Sequence, residues 1–292
     1  MIEILIALII LINIIFAFYF VRDLIKNRTE VMKENASTLW LPFSSFVIFF
    51  LSTFGISDFA ISTAIYTKFN WTKSIKQLTG TLNTQCVVPL MVMALCYLSA
   101  ITVDIKTLVI CIISAVIGAY IGPKFVLKLP IKTIKYFVTM GLIIASLLIL
   151  AGKFNIISSH GTATELHGYK LLITAILLFI FGALNNIGIG SFALTMATVY
   201  IMGLNPSAAF PIMMGSAAFS ITVGSIQFVK LQSYSRKISL FSSIFGVLGV
   251  LVAVFFVKSL NTSMLQWLVI VVLVYTAISM FMSIQEDTKF NK

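Results

Sequence analysis

Apolar runs close to twenty residues long with little or no charge recur along this sequence, beginning with residues 1–21, where Glu3 alone is charged. A helix rises about 1.5 Å per residue, so a run of roughly 20 is what it takes to cross a hydrocarbon layer about 30 Å thick. Inside that layer every main-chain polar group must be satisfied by the segment itself, which for such runs means a helix. The sequence therefore predicts an all-α polytopic membrane protein. With 60% hydrophobic and 10% charged residues, no soluble domain is visible. A net charge of +11 would suggest nucleic acid in a soluble chain. Here Lys and Arg stand in short loops between apolar runs, where they set orientation and meet anionic headgroups. The expected partner is the lipid bilayer of the cell (plasma) membrane, and nucleic acid is not expected. Cys86, Cys96 and Cys111 fall inside apolar runs without a CxxC pair, which makes them small core residues rather than disulfides or zinc ligands.

Two stretches break the pattern. FGISDFA at residues 54–60 and FGALNNIGIGSFA at 181–193 put glycines and small polar residues where an uninterrupted helix is expected. Irregular chain at membrane depth survives only beside a buried cavity, so each break is read as a site. Residues 42–54 and 56–67 are each too short to span, and they form either one broken span or two half-helices that turn back at Gly55–Asp58. Charge decides. A hairpin keeps Lys68, Lys73 and Lys76 on the cytoplasmic side with Arg22, Lys26, Arg28 and Lys33, as the positive-inside rule requires.

The remaining order follows. Residues 1–37 are an N-terminal transmembrane helix, lacking the marks of a cleaved signal, plus a cytoplasmic linker. Residues 38–152 make a first repeat of one broken, re-entrant helical hairpin and three spans, near 80–100, 108–122 and 137–151. Residues 153–169 are an extracellular loop. Residues 170–285 repeat the plan with half-helices 171–185 and 187–200 and spans 208–229, 238–257 and 264–282, and residues 286–292 are a cytoplasmic tail. The N-terminus lies outside and the C-terminus inside.

A shift of about 133 residues aligns FGISDFAIS with IGIGSFALT, setting Gly55 on Gly188, Phe59 on Phe192 and Ala60 on Ala193. With small gaps Gly80 and Thr81 meet Gly215 and Ser216, Leu129 meets Leu260, and Tyr136 meets Trp267. Three spans per half is an odd number, so the second copy is upside down. This is the inverted-repeat plan of many secondary transporters.

Half-helices that begin at a midplane break aim their N–H ends and positive dipole ends at it, which suits a small anionic substrate. Gly55, Gly188 and Gly190 let main chain approach a ligand, and the Ser57, Asn185, Asn186 and Ser191 side chains add hydrogen-bonding groups. Asp58 has two readings: N-cap of a half-helix starting at Phe59, with Ser191 capping its counterpart, or a proton-coupling acid. Gly118 with Gly122, and Gly246 with Gly249, mark close helix packing. His160, Glu165 and His167 read as solvated loop rather than a metal site. No cofactor is expected and no catalytic constellation is present, so the chain is not expected to be an enzyme.

The segment GALNNIGIGSFALTMATVYIMGLNPSAAFPIMMGSAAF, from Gly182, resembles the signature of the TauE/SafE permeases, the sulfite exporters, and GAYIGPKFVLKLPIKTIKYF, from Gly118, is similar to that family's basic, Pro-containing turn. The resemblance spans residues 41–282 and leaves the N-terminal helix as an addition. It implies transport of sulfite and small organosulfonates such as sulfoacetate, usually as export. The family's run of adjacent glycines is replaced here, with Ser57, Asp58 and Ser191 at glycine positions. Two other functions remain open on sequence: a carrier of a cation or amino acid using Asp58 as counter-charge, and a non-transporting membrane scaffold.

Overall fold

The computed structural model describes residues 2–100, 103–121, 131–154, 163–185, 191–260 and 262–290, and within them every regular element is helical. In chain order these are α1 (Ile2–Lys26), α2 (Arg28–Val31), α3 (Trp40–Thr53), α4 (Asp58–Lys68), α5 (Ile75–Ala100), α6 (Ile105–Ile121) and α7 (Ile131–Lys153). They are followed by α8 (Gly168–Asn185), α9 (Phe192–Ile201), a 3-10 turn (Pro206–Ala208), α10 (Ala209–Lys230), α11 (Arg236–Phe241), a π-helical turn (Ser242–Gly246), α12 (Val247–Ser259) and α13 (Thr262–Phe290). Among the described residues, five segments are long and apolar enough to cross a membrane: Ile2–Lys26, Lys76–Ser99, Ala209–Lys230, Arg236–Val257 and Ser263–Met282. The chain is a helical membrane protein. Its exposed apolar side chains fit that setting, as on α1, where Ile4, Leu11, Ile14 and Phe18 point outward while Ile9, Phe16 and Phe20 are buried.

Two compact units divide the chain, and each combines segments from both sequence halves. Residues Met1–Thr53, Asp58–Ala100 and Ala217–Lys258 form the first. Here α3 lies against α12 and the π turn so closely that a Cβ added at Gly249 would stand 2.3 Å from the carbonyl oxygen of Phe46, and one at Gly246 2.5 Å from the Phe49 ring. The π turn interrupts what sequence predicts as one uniform span at 238–257. One extra residue in that turn accompanies a hydroxyl pair, Ser242 with Ser45 at 3.1 Å.

At the polar end of the same unit α1 continues to Lys26, five residues beyond its predicted end. Asp23 can stay on the helix because it is paired. Its Oδ2 accepts from Arg236 Nε at 2.7 Å and from Tyr234 Oη at 2.7 Å, and its Oδ1 from Arg236 Nη2 at 3.2 Å and Asn27 Nδ2 at 2.9 Å. Glu34 completes the clasp by accepting from the Ser235 hydroxyl and from the main-chain N–H groups of Arg236 and Lys237, a carboxylate at a helix N-terminus. Burial, then the bond to Asp23, push the Tyr234 phenol well above its usual range.

The second unit comprises Phe54–Ser57, Ile101–Ser216 and Ser259–Lys292. Its tightest pair is α6 with α8: a Cβ at Gly118 would stand 1.9 Å from the Phe179 carbonyl oxygen, and one at Gly182 2.1 Å from that of Ala115. Gly118, Gly246 and Gly249 thus do the packing expected of them, while Gly122 lies outside the described residues. Asp104 caps α6, its Oδ2 accepting from Thr107 N at 2.8 Å and Thr107 Oγ1 at 3.1 Å, and the Thr107 hydroxyl accepts from Leu166 N at 3.0 Å. The Thr107 N–H holds the Asp104 carboxyl below the usual carboxylate range.

Candidate functional site

The first break is present and has a clear local cause. α3 ends at Thr53, and Gly55 follows with φ +95°, the left-handed conformation that terminates a helix and that favours glycine. α4 then starts at Asp58. The cap reading is corrected in one respect: Asp58 occupies the first turn rather than the position before it, with its carboxyl beside its own N–H and that of Phe59. Asp58 is 4% exposed, and its Oδ2 has no hydrogen-bond partner among the described residues. Across the break, on the last turn of α3, Ser52 is fully buried and its Oγ is also without a partner. A buried carboxylate oxygen left alone costs far more than a paired one, so it needs a proton or a cation.

Below Asp58 the buried face of α4 carries hydroxyls one and two turns on, Ser62 and Tyr66. Both are held by one amide of α5: Tyr66 Oη donates to Gln85 Oε1, and Gln85 Nε2 donates to Ser62 Oγ at 2.8 Å. All three side chains are fully buried. At the other side of the break the Tyr97 hydroxyl donates to the Thr53 carbonyl at 3.1 Å, tying the end of α3 to α5. The broken pair is therefore anchored on both limbs by α5, and Asp58 sits at the head of a polar strip.

Sequence reading missed Ser52, Ser62, Tyr66 and Gln85. A signal for Ser62 was available, since Thr195 follows Ser191 by four residues as Ser62 follows Asp58.

The second break is described in part. Asn185 ends α8, its side chain lying outside the described residues along with all of Asn186, Gly188 and Gly190; His160 of the loop lies outside them too. Ser191 stands just before α9, half-buried, with no side-chain capping bond, and its carbonyl accepts from Thr195 N at 2.9 Å. The expectation that its hydroxyl caps the helix is therefore corrected. α9 starts at Phe192 rather than at the predicted 187, and every residue from Phe192 to Tyr200 is buried.

One contact bears on how the breaks relate. The Gly55 turn belongs to the second unit, where an added Cβ would meet Met196 Sδ of α9 at 2.9 Å and Val272 of α13 at 3.7 Å. The turn of the first break is thus packed on the short helix that follows the second. Ser57 lies in that turn and is itself engaged in an interaction.

Between α7 and α8, Glu165 Oε1 and His167 Nε2 lie 2.9 Å apart on the surface, and among the described residues no three His, Cys, Asp or Glu side chains gather as a metal set. No protein-family model matches the chain, and no curated protein or solved structure matches it.

Proposed function

We propose that the chain is a secondary transporter of small organic or sulfur-containing anions, working by alternating access around two helix breaks in the plasma membrane, as its resemblance to the TauE/SafE permeases implies. The observation that carries this reading is a duplicated packing motif. Phe46 against Gly249 and Phe179 against Gly118 are the same kind of contact, a glycine on a main-chain carbonyl, and Phe49 against Gly246 and Gly182 against Ala115 pair equivalent positions; each pair is related by the shift of about 131 to 133 positions that aligns the breaks. In both, the helix entering a break packs on a helix of the opposite half. A duplicated chain with three spans per half supports two oppositely inserted modules, with the N-terminus outside and the C-terminus inside.

The chemistry of the breaks fits the substrate class. α4 and α9 both begin at a break, so their N–H ends face it, and Gly55 on Met196 brings the first turn against α9. A scaffold has no use for irregular chain at membrane depth, which weighs against that alternative. The purified protein in liposomes should carry sulfite or sulfoacetate faster than protein-free vesicles do. Absence of flux for these and for small carboxylates, in either direction, would overturn the reading.

A further inference from the structure

Two buried oxygens with no hydrogen-bond partner among the described residues, Asp58 Oδ2 and Ser52 Oγ, stand on the two helix ends that flank the first break. We propose that this break is a binding site for a monovalent alkali cation, sodium by size and hardness, held by Asp58 Oδ2, Ser52 Oγ and main-chain carbonyls of the last turn of α3.

Three features favour a metal cation over a proton. A proton on Asp58 Oδ2 exchanges an unpartnered acceptor for a donor that also needs a partner, and it leaves Ser52 Oγ as it was. A cation held between the two helix ends would satisfy both oxygens, which no single proton can do. The carbonyls of an α-helix C-terminus have no continuing N–H partners and carry the negative end of the dipole, so α3 supplies oxygen ligands and field of the right sign. The Thr53 carbonyl, fixed by Tyr97 Oη at 3.1 Å, and the clamp of Gln85 on Ser62 and Tyr66 hold the two limbs in place. Charge sets the valence. One carboxylate balances one positive charge, and divalent sites of hard cations draw on several carboxylates.

The site also resolves a conflict in the transport reading, on which this last step rests. A bare carboxylate at the N-terminus of α4 repels an anion at the same break; a bound cation removes that repulsion. Cation and anion then raise each other's affinity by the same factor, as linkage requires.

The test separates ion binding from transport. In detergent, the full chain should melt at a higher temperature in sodium chloride than in choline chloride at equal ionic strength. Asp58→Asn should abolish the difference, and Ser52→Ala should weaken sodium binding about tenfold, measured by calorimetric titration with sodium alone. Equal melting in sodium and choline, or a full sodium response in Asp58→Asn, would overturn the site. If Asp58→Asn does not fold, the titration of wild type against Ser52→Ala decides, and equal sodium affinities refute the ligand set. In liposomes, anion flux that is the same in sodium and choline refutes the coupling. Sodium binding without any anion flux keeps the ion site and removes the anion reading.

Discussion

Replacing Arg236 by alanine should destabilise the protein by about 3 kcal/mol, the low end of the range for breaking a buried ion pair. The clasp between α1 and α11 gives the reason for that figure. Asp23 has four donors, two of them from the guanidinium, and the pair's side chains are only 13% and 9% exposed. Arg236→Ala removes both charge-assisted bonds, each worth about 1.5–3 kcal/mol, while Tyr234 and Asn27 continue to solvate the carboxylate and limit the loss. Arg236→Lys keeps the charge but not the two-pronged geometry, and should cost about half as much. The informative comparison is Asp23→Leu with Arg236→Met. Without charges to strand, that double variant should lie within about 1 kcal/mol of wild type, although each single change is costly. Unfolding titrated with SDS in mixed micelles, followed by tryptophan fluorescence, reads the series. An Arg236→Ala loss under about 0.5 kcal/mol, or a double variant as unstable as the sum of its singles, would refute the account of the clasp as a buried, mutually dependent pair.

Two further outcomes are expected. Gly118→Ala and Gly249→Ala each drive a methyl into a main-chain carbonyl of the helix opposite and should cost about 3 kcal/mol apiece, whereas Gly141→Ala, with nothing within 4 Å, should gain roughly 0.5–1 kcal/mol; melting curves on the three variants test this. Asp104→Ala removes the cap of α6 and should cost about 1 kcal/mol at pH 7. Because the folded carboxyl titrates below its unfolded value, that contribution is complete above pH ~4 and disappears as pH falls through the lower folded value, so the gap to wild type should close in acid.

Which parts of this were legible in the sequence follows from physics. Long apolar runs and the glycine at position 55 have local consequences, so the existence of the long helices and the place of the first break were readable, while several helix ends were not. The small-residue spacings at Gly118, Gly246 and Gly249 announced close packing but not the partner helix, since a glycine says only that something comes near. The continuation of α1 through Asp23 depends on Arg236, more than two hundred positions away, and no local pattern encodes it. The π turn at Ser242 likewise answers a hydroxyl on α3. At the site, Asp58 stood out because acids are rare at membrane depth, while Ser52, Ser62, Tyr66 and Gln85 are ordinary residues whose roles arise from burial and from one another. Ser191 shows the reverse: a favourable cap residue at the right place whose side chain makes no capping bond.

The pairing of α3 with α12 has a bearing on biosynthesis. Phe46 leaves the ribosome well before Gly249, by about two hundred residues, which at roughly 5–20 residues per second is on the order of 10–40 s. During that interval the groove that will receive Gly249 has no occupant from its own chain, so nascent α3 must be sheltered by the insertion machinery or by lipid. Completion of the first compact unit thus waits on the last third of translation.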